Sequence, residues 1–295
     1  MSDYIISCSS TVDLSSEHLD RIGIPYVCFH FTLDGISYPD DLGKSIPFDE
    51  FYNRMARGAD TSTSQVSIDG FTEFFSELLE AGKDILHIEL SSGLSGSYGS
   101  ACAAAEALRE KHPERKIYVV DSLGASSGFG LIVHTLAKMR DEGRSIDELR
   151  DWIEKNKLRM HHWFFSTDLK YYVRGGRVSK TAGFVGNLLN ICPMLNMDNH
   201  GRLIPRAKVR TKKRAILDIV ERMVKHAEGG LDYSGECFIC NSACIEDARE
   251  VARLVEERFK KLDGKVLINS IGTTIGSHTG PGTIALFFWG SERVD

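Results

Sequence analysis

The sequence predicts an α/β protein of two domains, and three observations carry that expectation. Up to about residue 155, short apolar β-like runs alternate with helix-periodic segments, the grammar of a doubly wound, mostly parallel sheet. Between the run Ile85–Leu90 and the Ala-rich segment Ala101–Leu108 lies Ser91-Ser92-Gly93-Leu94-Ser95-Gly96-Ser97-Tyr98-Gly99, a strand–turn–helix junction crowded with hydroxyls and glycines. Beyond it the pattern changes to a β-hairpin and helix-linked strands, which implies a C-terminal α+β domain with a mixed sheet. The expected division is residues 1–160 and 161–295.

Taken in order, Tyr4–Cys8 reads as a buried strand entering the polar turn Ser9–Asp13, and Ile24–Leu33 as a second β-rich run ending at Asp34-Gly35. Tyr38–Asp41 continues as loop, and Pro47–Arg57 is a short helix closed by Gly58. Asp60–Ser67 is polar and β-branched, so an exposed loop is expected. Phe71, Phe74, Phe75, Leu78 and Leu79 recur at helical spacing and predict an amphipathic helix ended by Gly82. Lys116–Val120 is a strand and Phe129–Glu142 a helix, after which Ser145 and Glu148 form a capping box for a helix that turns Leu149, Trp152 and Ile153 inward. In the second half Trp163–Thr167 is strand-like, Gly183–Ile191 a short helix stopped by Pro193, and Met194–Met197 with Leu203–Val209 a hairpin. Helices over Lys213–Ala227 and Ile245–Leu262 interleave with strands Glu236–Cys240, Lys265–Ile271 and Thr283–Trp289.

Composition narrows the function classes. Hydrophobic content of 42% and charged content of 26% are those of a soluble globular protein, and no apolar stretch has the length of a membrane span. A net charge of −5 argues against nucleic-acid binding over the whole surface. The N-terminus lacks a basic region followed by an apolar one, and seven cysteines, odd in number, suit free thiols in a reducing compartment; a cytoplasmic protein is expected.

The Ser91–Gly99 turn has the makings of an anion-binding loop: glycines allow close backbone approach, a helix start offers free N–H donors, and serines add hydroxyls. It lacks the Lys of a Walker loop, and Gly-Leu-Ser-Gly-Ser is not a nucleophile elbow. Cys237, Cys240 and Cys244 tempt a metal reading, but residues three apart on a strand face opposite ways, so no metal is expected. His161-His162 reads as a strand edge. The run Arg206, Lys208, Arg210, Lys212, Lys213, Arg214 is the one concentrated basic patch, a solvated face or a contact for phosphate or an acidic partner.

Six motifs then become specific together: Thr63-Ser64-Gln65, Ser92-Gly93-Leu94-Ser95-Gly96, Val120-Asp121-Ser122, Gly175-Gly176-Arg177, Lys208-Val209-Arg210 and Ile275-Gly276-Ser277-His278-Thr279-Gly280-Pro281-Gly282. In this order and spacing the chain resembles the DegV family of bacterial fatty-acid-binding proteins along essentially its whole length. The resemblance implies two α/β domains with a long-chain fatty acid such as palmitate held between them, no other cofactor and no catalytic residue. It also implies a partner, since the family includes lipid-presenting subunits that hand an acyl carboxylate to the ATP-using subunit of fatty acid kinase. By the resemblance Thr63 and Ser95 hold the carboxylate, with Ser64, Ser92 and His278 around it, and Arg177 and Arg210 are candidate phosphate or partner contacts. The chain departs from the family at Cys8-Ser9-Ser10, where Asp-Ser-Ser is usual, and at Val66, where Pro usually follows Thr-Ser-Gln. Two alternatives stay open: a serine esterase or acyltransferase built on Ser95 with His278 as base, and a binding module for another amphiphile.

Overall fold

The computed structural model describes residues 3–179 and 191–293. β1 (Tyr4–Ser9) leads through a polar turn into α1 (Ser16–Arg21), whose first turn is capped by Ser15. After β2 (Tyr26–Val27), the chain builds a small antiparallel sheet from β3 (His30–Leu33), β4 (Ile36–Pro39) and β5 (Thr61–Ser64), with α2 (Phe48–Ala56) between the last two. α3 (Ile68–Glu80), β6 (Asp84–Glu89), α4 (Ser97–Lys111) and β7 (Ile117–Asp121) complete a parallel sheet in the order β2-β1-β6-β7. Alternation sets its two faces: Ile85 and Ile117 meet Phe71, Phe75, Ala101 and Ala105 of α3 and α4, whereas Ile6, Leu86 and Val120 face the other way.

That other face receives α5 (Ser126–Asp141) and α6 (Ile146–Asn156), the latter opened by the Ser145–Glu148 capping box. α5 is buried on nearly every side through its first three turns, as expected of a helix with apolar residues all round. Its far side lies against a second sheet, so Phe129 and Leu131 share one core with Ile6 and Leu86 and also with Phe164, Phe238 and Phe287. Gly128 makes the close approach possible, because a Cβ there would overlap His162 and lie 2.6 Å from Phe287.

The second sheet is mixed and ordered β10-β9-β8-β13-β11-β12. It comprises β8 (Met160–Ser166), β9 (Ile191–Met197), β10 (Leu203–Arg210), β11 (Cys237–Asn241), β12 (Leu267–Ser270) and β13 (Thr283–Trp289). α7 (Lys170–Arg174) follows β8, and α8 (Lys212–His226) and α9 (Ile245–Arg258) cover the outer face with Ile219, Met223, Val251 and Val255. α10 (Thr273–Thr279) stands before β13. The protein is thus α/β, with a parallel and a mixed sheet in separate halves. No described helix is long and apolar enough to cross a membrane.

Several local expectations are corrected. Thr61–Ser64 is a strand, not a loop: it pairs Leu33↔Thr61 through His30↔Ser64 at the edge of a small sheet, where polar residues are tolerated on both faces. Ile36–Pro39 is likewise a strand, and α1 was not foreseen. The helix expected over 183–191 falls outside the described residues except for Ile191, which opens β9, and Pro193 lies within that strand. His161-His162 is no sheet edge, since β8 runs between β9 and β13 and both rings are buried. Cys237 and Cys240 do face opposite ways, one into the outer core and one into the shared core.

Candidate functional site

A cavity of about 690 Å³ opens where the carboxyl ends of the parallel strands meet the mixed sheet, the usual ligand position for such sheets. One wall is polar and comes from three loops: Thr63, Ser64 and Gln65 of β5 and its continuation, Ser92–Gly96 after β6, and Arg177 after α7. His278 and Thr279 of α10 complete it. The opposite wall carries Phe29, Leu90, Met197, Leu203, Ile275 and, at alternate positions of β8 and β13, Phe164, Ala285 and Phe287.

The polar wall brings together residues far apart in sequence. Thr63 Oγ1 lies 2.8 Å from His278 Nε2. Burial, with Arg177 and Arg174 adding to it, pushes the His278 imidazole down to about 4, so the ring is neutral at pH 7. Among the described residues its buried Nδ1 has no hydrogen-bond partner, and neither has Thr279 Oγ1. Arg177 donates to Gly175 O at 2.6 Å and to Leu94 O at 3.0 Å, tying the loop after α7 to the serine loop. Burial lowers the guanidinium's affinity for its proton. No carboxylate pairs with it among the described residues, so a positive charge is left half-buried on the cavity wall.

Ser95 plays a local part as well. Its Oγ accepts from Ser97 N at 3.2 Å, covering one of the free donors at the start of α4. Gln65 reaches across to α4 with Nε2 on Ser100 Oγ at 3.1 Å, and it fits because position 96 is Gly, where a Cβ would lie 2.5 Å from Gln65 Oε1. Ser64 and Ser92 line the same wall at its exposed rim. Arg210 does not join them: it ends β10, exposed and away from the cavity lining.

Sequence reasoning missed the polar residues of the deeper wall. His162 is fully buried there, with Nδ1 against Met160 O at 3.1 Å and Nε2 accepting Ala125 N–H at 3.2 Å. Burial holds its pKa well below the ordinary value, so it stays neutral in one tautomer. Tyr172 OH meets Thr283 Oγ1 at 3.0 Å, and Thr283 donates to Ser166 Oγ at 3.2 Å. Ser126 donates to the buried Asp13 carboxylate. It stands in Gly124-Ala125-Ser126-Ser127-Gly128 with φ +55°, a strand–turn–helix serine of elbow-like form. Its hydroxyl proton goes to Asp13 rather than to a histidine, and both ring nitrogens of His162 are already engaged. Each of these groups spends its proton inside the wall, so His162, Tyr172, Thr283 and Ser126 offer a ligand little hydrogen bonding.

Chains of known kind share this architecture. The DegV domain-containing protein CPE0026 of Clostridium perfringens is 36% identical over 293 residues, covering 99% of each chain. A crystal structure of a DegV lipid-binding protein from Thermotoga maritima matches with a TM-score of 0.85 at 28% identity, over 99% of this chain and 100% of that one. The Thermus thermophilus DegV family protein whose structure is described by its fatty acid binding matches with a TM-score of 0.86 at 27% identity, over 98% and 99% of the two chains. A family model described as "Uncharacterised protein, DegV family" matches residues 5–290, and on that match and the 36% relative the chain belongs to the DegV family.

Proposed function

We propose that this protein is a carrier for a long-chain fatty acid, with the carboxylate at Thr63, Ser95 and His278 and the acyl tail in the deep cavity. The observation that carries the reading is the division of one cavity into two chemistries. Unspent donors and a guanidinium with no carboxylate partner among the described residues stand at one end, and C–H surfaces with internally satisfied polar groups at the other. The solved relatives from Thermotoga and Thermus, which bind lipid and fatty acid, support it. With Nε2–H of His278 donating to Thr63 Oγ1, the orphaned Nδ1 is a bare acceptor, the cheaper atom to leave unmatched. Thr63 then keeps its own proton for the ligand carboxylate.

Burying about fifteen methylenes at ~0.8 kcal/mol each is a gross gain of roughly 12 kcal/mol. Lost motion of the tail takes back much of that, and each hydroxyl-to-carboxylate bond adds about 1.5–3 kcal/mol. The tail sets affinity, and Thr63 and Ser95 set register. In this reading residues 1–160 supply the carboxylate loops, and residues 161–295 close the lipid pocket. The protein works in the cytoplasm, without a catalytic residue of its own, and presents the carboxylate to an ATP-using kinase subunit, with Arg177 on the cavity wall and Arg210, exposed at the end of β10, as a partner contact. The esterase alternative needs His278 as base for Ser95, yet Nε2 is held by Thr63 and Nδ1 packs on Gly175.

Lipid extraction and native mass spectrometry of the purified protein test the carrier reading directly: a mass or extract of a long-chain fatty acid is expected. The double variant Thr63→Ala, Ser95→Ala should still bind palmitate but at least about tenfold more weakly. Unchanged affinity with normal head-group placement would refute the head-group assignment.

A further inference from the structure

α10 belongs by sequence to the C-terminal half, yet it is held by side chains of the N-terminal half. Asp13 Oδ1 accepts Gly272 N–H at 2.9 Å. Asp40 Oδ1 accepts the Thr273 hydroxyl at 2.7 Å. Tyr52 donates to Ile271 O at 2.8 Å. These three side chains come from the turn after β1, the end of β4, and α2, and all are buried. Each is in turn fixed. Asp13 also takes the Ser126 hydroxyl. Asp40 takes Ser10 Oγ at 3.1 Å, and Ser10 accepts Phe29 N–H at 3.1 Å. Gly276, the next turn of α10, has no side chain where Tyr52 OH and Phe51 press against it; a Cβ would lie 3.0 Å from Phe51.

Two buried carboxylates and a phenol thus converge on three consecutive residues, 271–273, and α10 then delivers His278 to Thr63 about one and a half turns later. A short helix of this kind has too little of its own backbone bonding to hold a side chain to a few tenths of an ångström. Its position is imposed at its start. We infer that Asp13, Asp40 and Tyr52 are positioning residues for the head-group site, acting through the start of α10 to hold His278 in register with Thr63. The inference rests on the reading of Thr63 and His278 as part of that site.

The test compares Thr273→Val, Asp40→Ala, Asp40→Asn and Tyr52→Phe in the full chain, with 13C1-palmitate as probe. The readouts are the palmitate dissociation rate and the His278 ring NMR signals, recorded with and without palmitate. Thr273→Val and Asp40→Ala remove the bond to α10 and should raise the dissociation rate about five- to tenfold, with a shifted His278 signal even in the ligand-free protein. Asp40→Asn keeps an acceptor for Thr273 and should stay within about twofold of the parent. If Asp40→Ala fails to fold, Tyr52→Phe, which deletes one oxygen, carries the same expectation on a smaller scale. Folded Thr273→Val and Tyr52→Phe proteins with parental dissociation rates and unmoved His278 signals would overturn the inference. A parent protein that binds no palmitate would overturn the carrier reading instead, while the ligand-free His278 signals still decide the anchoring.

Discussion

Gly175 carries no side chain because the His278 ring occupies the space, and a Cβ there would overlap Nδ1. Gly175→Ala must push the imidazole away from Thr63 or move the loop after α7. It should cost about 1–3 kcal/mol as an overpacking substitution, read by urea denaturation, and should weaken fatty acid binding in the same variant. The histidine also sets a pH dependence. Its folded pKa, near 4, lies below the ordinary 6.5. The unfolded chain therefore takes up the proton first, and the neutral ring's contribution to stability is whole above about pH 6.5 and lost as pH falls towards 4. A His278→Gln variant should lose less stability than the parent between pH 7 and 5 in parallel denaturant titrations; equal slopes would contradict this. At this scale the sequence was legible where a motif names a residue, as with Thr63, Ser92, Ser95 and His278, all of which line the cavity. It misread His162 as lying on a strand edge and was silent on Tyr172. Nothing local distinguishes a buried histidine on a central strand from one at an edge, since the difference lies in which strands pair on either side.

Among the elements, the β9–β10 hairpin shows both what patterning reveals and where it stops. Its strands and turn were readable from alternation and from Asp198-Asn199-His200-Gly201. Its docking was not. The turn packs onto the serine loop, with Ser91 Oγ donating to Gly201 O at 2.8 Å, and Gly93 leaves room for it, since a Cβ there would lie 2.5 Å from His200 O. Contacts across 110 positions leave no periodic trace. Gly201 has φ +68°, and a Cβ at that position would overlap Ser91 Oγ. Gly201→Ala should therefore destabilise the protein by about 1–3 kcal/mol. It should also speed palmitate exchange, because Met197 and Leu203, which flank the turn, line the deep cavity; stopped-flow release of a fluorescent fatty acid measures it. The misread strand β5 has a related cause. Thr61–Ser64 has no apolar face to advertise a strand, and its pairing to β3 is what makes it one.

At the scale of the whole molecule, α5 joins the two sheets into one packed body. Two halves joined by a thin interface would unfold separately. Here Phe129 and its neighbours belong to a single core shared with both sheets. Unfolding by urea should accordingly show one transition, coincident by far-UV dichroism and by the fluorescence of Trp152 and Trp289, which meet ring to edge at 5.3 Å across the junction of α6 and β13. Phe129→Ala should lower stability by about 3–5 kcal/mol without splitting that transition. The α/β class and the change of pattern near the middle of the chain were legible because sheets and helices write their periods into sequence. The burial of α5 between sheets was not legible, because it depends on which two sheets the helix meets.

The pairing of Thr63 with His278 also has a consequence in time. The two residues are 215 positions apart, so at about 5–20 residues per second the ribosome needs roughly 10–40 s to make the second after the first. Through that interval the emerging parallel sheet and its serine loop can fold, but the site lacks α10, the anchored ring and β13 with its share of the apolar wall. On the proposed carrier reading, a nascent chain is blind to fatty acid and loading is an event in the life of the finished molecule.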